Sequence, residues 1–184
     1  MDHRDGGLLT LEPLIDAVRA AVDRTSWVLS GLQKTTSHEF AGLWEGDATR
    51  SAYLFFHDPE GPDHASLDVY LDETSRGLTG NLALVVDLDE LGRLGDASAL
   101  LVRLGRLSAP ALPEIYRTPL TLRFRLGGAT DEPSRAEVEA RFKVVIPKSS
   151  IAAGAGAIEA VTRDSVEAFG RILSHPELEA LVGG

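Results

Sequence analysis

The chain of 184 residues contains no cysteine. That excludes disulfides, thiolate metal ligands and a cysteine nucleophile. Aromatic residues are few, 6% of the total, and lysine is scarcer still, with 3 residues against 15 arginines. The arginines are scattered. No basic patch therefore favours nucleic acid, and no nucleic-acid partner is expected. No stretch approaches the roughly 20 apolar residues that a membrane span requires, and residues 1–7 are polar where a signal peptide would turn apolar. The expectation is a soluble cytoplasmic protein with no membrane partner. A Gly-x-Ser-x-Gly serine elbow is absent, and so is the glycine spacing of a phosphate loop. No catalytic residue and no cofactor is assigned.

What the chain does have is enough apolar material for a core and a strongly uneven charge. Hydrophobic residues make up 43% and charged residues 25%, which suits a single domain over residues 1–184, with residues 1–8 as a flexible lead. The formal net charge is −10. Residues 45–96 hold twelve acidic and three basic side chains, nine of the ten excess negatives, and the remainder is nearly balanced. A one-sided acidic stretch repels nucleic acid and anionic lipid and attracts cations or basic proteins.

Periodicity places the elements. Thr10 is positioned to cap a helix in which Leu11, Leu14, Ile15, Val18 and Val22 form one stripe, running to about residue 24. Residues 27–33, 40–44 and 52–57 are short apolar-aromatic runs that read as strands, the first of them open to a helical reading instead. Leu67, Val69 and Leu71 alternate with Asp68, Tyr70 and Asp72, and after a loop at 73–77 Leu78, Leu82, Leu84 and Val86 continue the same period, the pattern of a hairpin with one apolar and one acidic or polar face. Residues 87–95 read as a loop or frayed helix start. Asp96 is positioned to cap a second helix in which Leu100, Leu101, Leu104 and Leu107 share a side. Residues 120–126 and 138–146 alternate most clearly. Pairing Leu126 with Ala136 sets Arg125 opposite Glu137 and Arg123 opposite Glu139, a register fixed by charge. A last helix carries Ile158, Val161, Phe169, Ile172 and Leu173, and His175-Pro176 breaks it. The order helix, strands, helix, two strands, helix predicts an α+β fold, with an antiparallel sheet of about five to seven strands and helices packed on one face. In element order alone the chain is similar to the secretion-chaperone type of small dimeric α/β domain.

Several clusters carry candidate chemistry. His57, Asp58, Glu60, Asp63 and His64 fall within eight residues, and imidazole with carboxylate suits a divalent ion; the turn-rich segment and unmatched spacing favour a solvated turn, and no metal site is assigned. Residues 148–157 set a lysine and two serines beside a glycine-alanine run, where close packing or a hinge is the simpler account. The terminal Gly183-Gly184 resembles the tail of ubiquitin-like and sulfur-carrier proteins, yet a glycine after a helix is the usual cap. Asp68, Asp72, Glu73, Asp87 and Asp89 are the candidate binding residues. Asp68 and Asp72 share a strand face, and convergence of the five would make a carboxylate site. Trp27, Trp44, Tyr53, Phe55 and Phe56 gather in the early strands, and those left on an uncovered sheet face would form a contact surface.

These features point to an adaptor-like or chaperone-like protein that binds a protein partner, presenting an ordered acidic face to a basic surface, with a homodimer as a further expectation. The alternative is a small enzyme or a ligand- or metal-binding protein with a carboxylate-lined pocket. A third reading is a structural or stress-associated protein whose acidity keeps it soluble.

Overall fold

The computed structural model describes residues 9–38, 48–114, 120–128 and 132–183, with residues 37, 38 and 48 described by backbone alone. The expected strand at 40–44, the flexible lead at 1–8, Trp44 and Gly184 lie outside these residues. The strands are β1 (Val28–His38), β2 (Ala48–His57), β3 (Ala65–Thr74), β4 (Gly77–Glu90), β5 (Thr121–Arg125) and β6 (Glu137–Val145). They form one antiparallel sheet in the order β1-β2-β3-β4-β6-β5. The helices are α1 (Leu11–Val22), α2 (Leu91–Leu94), α3 (Ala97–Ser108), α4 (Lys148–Ala153), α5 (Ala155–Leu173) and α6 (Pro176–Glu179). The fold is the expected α+β arrangement.

Two-residue alternation decides which side of the sheet is covered. Leu54 and Phe56 of β2, Leu67, Val69 and Leu71 of β3, Leu82, Leu84 and Val86 of β4, and Val138, Phe142 and Val144 of β6 are all buried on one face. The stripes of α1 and α5 close over them, with α1 against β2, β3 and α5, and α5 reaching β4. Each such side chain, fully buried, contributes about 1.5–3 kcal/mol relative to exposure, so this single layer contact is the main stabilising term. The small residues Ala17 of α1 and Ala168 of α5 are buried in the same core. Among the described residues, no helix is long and apolar enough to cross a membrane.

The β3–β4 hairpin turns tightly through Ser75 and Arg76, with Thr74 paired to Gly77. Gly77 has φ +109°, a left-handed conformation that glycine adopts without a Cβ penalty. The charge-set register of the second hairpin is found as expected: Arg125 pairs with Glu137 and Arg123 with Glu139. The run at 27–33 is strand, not helix.

Four local expectations are corrected. Thr10 makes no side-chain cap; the Leu11 N–H is taken instead by the Glu73 carboxylate at 3.1 Å, a partner 62 positions away that no local pattern reveals. Residues 87–90 are not a helix entry but the end of β4, beyond a register shift between Asp87 and Glu90, and helix begins only at Leu91. Leu101 is exposed, while Leu100, Leu104 and Leu107 are buried as expected. Gly183 is no helix cap, because α6 ends at Glu179 with Ala180 as its cap. Asp96 caps as expected, accepting the Ala99 N–H at 2.9 Å, and at the break after α5 His175 Nδ1 accepts the Glu177 N–H at 3.2 Å. The glycine-alanine run forms α4 and the start of α5, joined at Gly154 with φ +97°.

Candidate functional site

With α1 and α5 on one side, the residues of opposite parity along each strand make up the other face of the sheet. The register arranges them in rows. Thr35, Ser51, Asp72 and Thr79 form one row; Gln33, Tyr53, Tyr70 and Asn81 the next; Gly31, Phe55, Asp68, Ala83 and Lys143 the third. The β1–β2 half is aromatic and uncharged, and the β5–β6 half is charged.

The aromatic half is exposed. Val28 keeps 47% of its surface, Tyr53 37% and Phe55 39%. The Tyr53 and Tyr70 rings pack with centroids 4.8 Å apart, tilted by 44°, a contact of the kind that adds to simple burial. The hydrogen bond with Ser51 acts to lower the Tyr70 hydroxyl pKa, but burial, the Asp72 charge and Tyr53 together outweigh it and leave it above the ordinary phenol value.

Across the charged half runs an alternating chain. Arg123 Nη1 lies 3.8 Å from Glu139 Oε1, Arg141 Nη1 3.1 Å from the same oxygen, and Arg141 Nη2 2.8 Å from Asp68 Oδ2. Arg141 and Asp68 are partly buried, so this pair is screened less than a fully exposed ion pair. One row further, Arg125 donates to Glu137 at 2.9 Å, and that bond, with the charges of Glu137, Asp87 and Glu139, holds the guanidinium pKa above its usual value. Between the two halves the side chains are short. A depression of about 380 Å³ is floored by Asn81 and Ala83, with Tyr53, Phe55 and Tyr70 on one side and Arg141 and Lys143 on the other.

Four of the five predicted binding carboxylates are separately engaged, and the fifth, Asp87, does not join them in one site. Asp68 and Asp72 do share the uncovered face, but Asp68 is held by Arg141 and by Ser66, whose hydroxyl donates at 3.2 Å, while Asp72 accepts the Ser51 hydroxyl at 2.6 Å. Glu73 accepts from the start of α1 and lies 3.7 Å from Arg50. Asp87 stands opposite Glu139 in the ladder. Asp89 pairs with Arg93 at 2.7 Å and its Oδ1 accepts the Glu90 N–H. In the early acidic loop, Asp58 accepts from the Ser26 hydroxyl at 2.8 Å and the Glu60 N–H at 3.1 Å, so it builds a turn. Among the described residues no group of three or more histidine or acidic side chains is placed to hold a metal.

Of the early aromatic residues, Trp27 and Phe56 are core, and Tyr53 and Phe55 are surface. The sequence shows residues 52–57 as one apolar-aromatic run, which does not say which parity faces the helices. Alternation along β6 puts Arg141 on the polar side of its strand, and its link to Asp68, 73 positions away, has no sequence signal. No family model, curated protein or solved structure matches this chain.

Proposed function

We propose that this protein binds other proteins through the uncovered face of its sheet, with the acidic residues around that face steering a basic partner. The observation that carries the reading is the exposed aromatic corner of Val28, Tyr53 and Phe55, set beside an ordered chain of charges. Aromatic side chains flanked by hydrogen-bonding groups are what contact surfaces use for affinity, and the polar surround supplies orientation. The net charge of −10 adds a long-range field that favours basic partners.

The carboxylate-pocket alternative has less support. The depression contains one carboxylate, Asp68, and it is already paired with Arg141; acid–base work by two carboxylates needs a second one nearby.

A photo-crosslinking residue at position 55, compared with one at exposed Val102 on α3, tests the reading in the cells that make the protein. Adducts to another protein are expected at 55, absent at 102, and lost on adding Tyr53→Ser. Equal adducts at both positions, or adducts indifferent to Tyr53→Ser, would remove it.

A further inference from the structure

We infer that the β1 edge pairs with the β1 edge of a second copy of this chain, antiparallel about a twofold axis at Gln33. The inference rests on the reading of this corner as a contact surface, and adds to it a mode of contact and a partner. A sheet edge presents alternate N–H and C=O groups with nothing to pair them, a template for another strand. Among the described residues this sheet has two edges, β1 and β5. The β5 edge is five residues long and two of those are arginines tied to Glu137 and Glu139. Short, charged edges resist pairing. The β1 edge is eleven residues long, and among the described residues no strand pairs with its outer side. Residues 28–36 hold one charge, Lys34, which is drawn to Glu12 at 2.6 Å.

Four of the nine large hydrophobic side chains exposed among the described residues lie at this edge: Val28 on β1 with Tyr53 and Phe55 on β2, toward the uncovered face, and Leu32 on β1, toward the helix side opposite Leu54. Gly31 contributes to this. A Cβ there would stand 3.4 Å from Phe55 Cδ2, so the Phe55 ring lies close against β1, toward the open edge.

Charge leaves this edge open to a second copy. Two chains of net −10 repel over most of their surfaces, but residues 28–36 contain no acidic side chain. The bulge bounds the register on one side: pairing with β2 shifts between Leu29 and Gly31 and is regular from Gly31 to His38. Within that run a twofold axis at Lys34 would set two like charges opposite each other, and one at Gln33 keeps them apart. Two Gln33 amides then face each other, and an amide is both donor and acceptor, so identical residues satisfy one another. Lys34 falls opposite Leu32, where its methylene stem covers an apolar side chain. Gly31 falls opposite Thr35, which sets the partner's strand beside the Phe55 ring. No like charges meet.

Sedimentation equilibrium on the full chain over a range of concentrations tests this. Wild type is expected to form a concentration-dependent dimer. Gln33→Glu and Gln33→Lys should each weaken it by at least about tenfold, because like charges then meet across the axis. An equimolar mixture of the two variants should recover association. Circular dichroism of each variant alone checks that this exposed position leaves the fold intact. A wild type that stays monomeric overturns the pairing alone, because the broader reading is judged by crosslinks from position 55 to another protein. A dimer indifferent to both charges, or a mixture no tighter than either variant, also overturns it. A dimer that survives Gln33→Glu but is lost in Phe55→Ser shows contact at the corner without strand pairing.

Discussion

Glu73 shows how far a single carboxylate can depart from its local setting. It sits in an acidic run that reads as a solvated loop, yet it satisfies the first N–H of α1 and faces Arg50. A negative group at a helix start also meets the positive end of the helix dipole. Glu73→Ala should therefore lower stability by about 1 kcal/mol, as loss of a helix cap does, read as a shift in the urea midpoint. Glu73→Gln, which keeps an acceptor, should cost less. Tyr70 gives a pH signature. Its folded hydroxyl titrates above the ordinary value of 10.0, so the folded chain holds that proton after the unfolded chain has released it. The contribution is intact below that value and declines as pH rises through the folded one. Tyr70→Phe should flatten the alkaline loss of stability measured by thermal melts between pH 9 and 11, a range of about one unit on either side of the ordinary phenol; an unchanged slope would show that the other tyrosines and lysines set it.

Among the elements, the β5–β6 hairpin was the most readable and the β4 end the least. Arg123, Arg125, Glu137 and Glu139 specify their own register through cross-strand pairs, a short-range signal. The end of β4 is settled by contacts distant in sequence: the Asp89 N–H donates to Leu181 O and the Leu91 N–H to Ala136 O. The chain of charges on the uncovered face couples three strands, β5, β6 and β3, through Arg141. Arg141→Ala leaves Asp68 and Glu139 without their shared cation and should cost about 2 kcal/mol, as hydrogen bonds to charged groups do. Asp68→Asn retains an acceptor and should cost under about 1 kcal/mol. Equal losses from the two, measured by chemical denaturation, would mean that the chain is not coupled through Arg141.

For the molecule as a whole, the net charge of −10 makes opposite demands on the two associations proposed. A basic partner is attracted by this field, and added salt screens the attraction. A second copy is repelled, and salt screens the repulsion. Raising ionic strength from about 0.05 M to about 0.5 M shortens the Debye length severalfold. Binding of the basic partner should therefore weaken over that range while the dimer strengthens, both measured by sedimentation. Salt shifts of the same sign would contradict one of the two assignments.

Periodicity and composition by themselves determined the layer arrangement. The alternation of apolar and polar residues in β3 and β6, the period-two spacing of Leu82, Leu84 and Val86 in β4, and the stripes of α1 and α5 leave one stable solution, a sheet covered by helices on one face, because each apolar set must leave water. They also located the acidic stretch. Only the tertiary structure decided what that stretch does. Strand pairing carried Asp68 to Arg141, Glu73 to α1 and Asp72 to Ser51, separating carboxylates that are neighbours in the sequence. The same pairing turned Tyr53 and Phe55 outward beside the long β1 edge. Local patterns record which residues avoid water. Which charges meet depends on contacts between distant positions, and these arise only when the sheet closes.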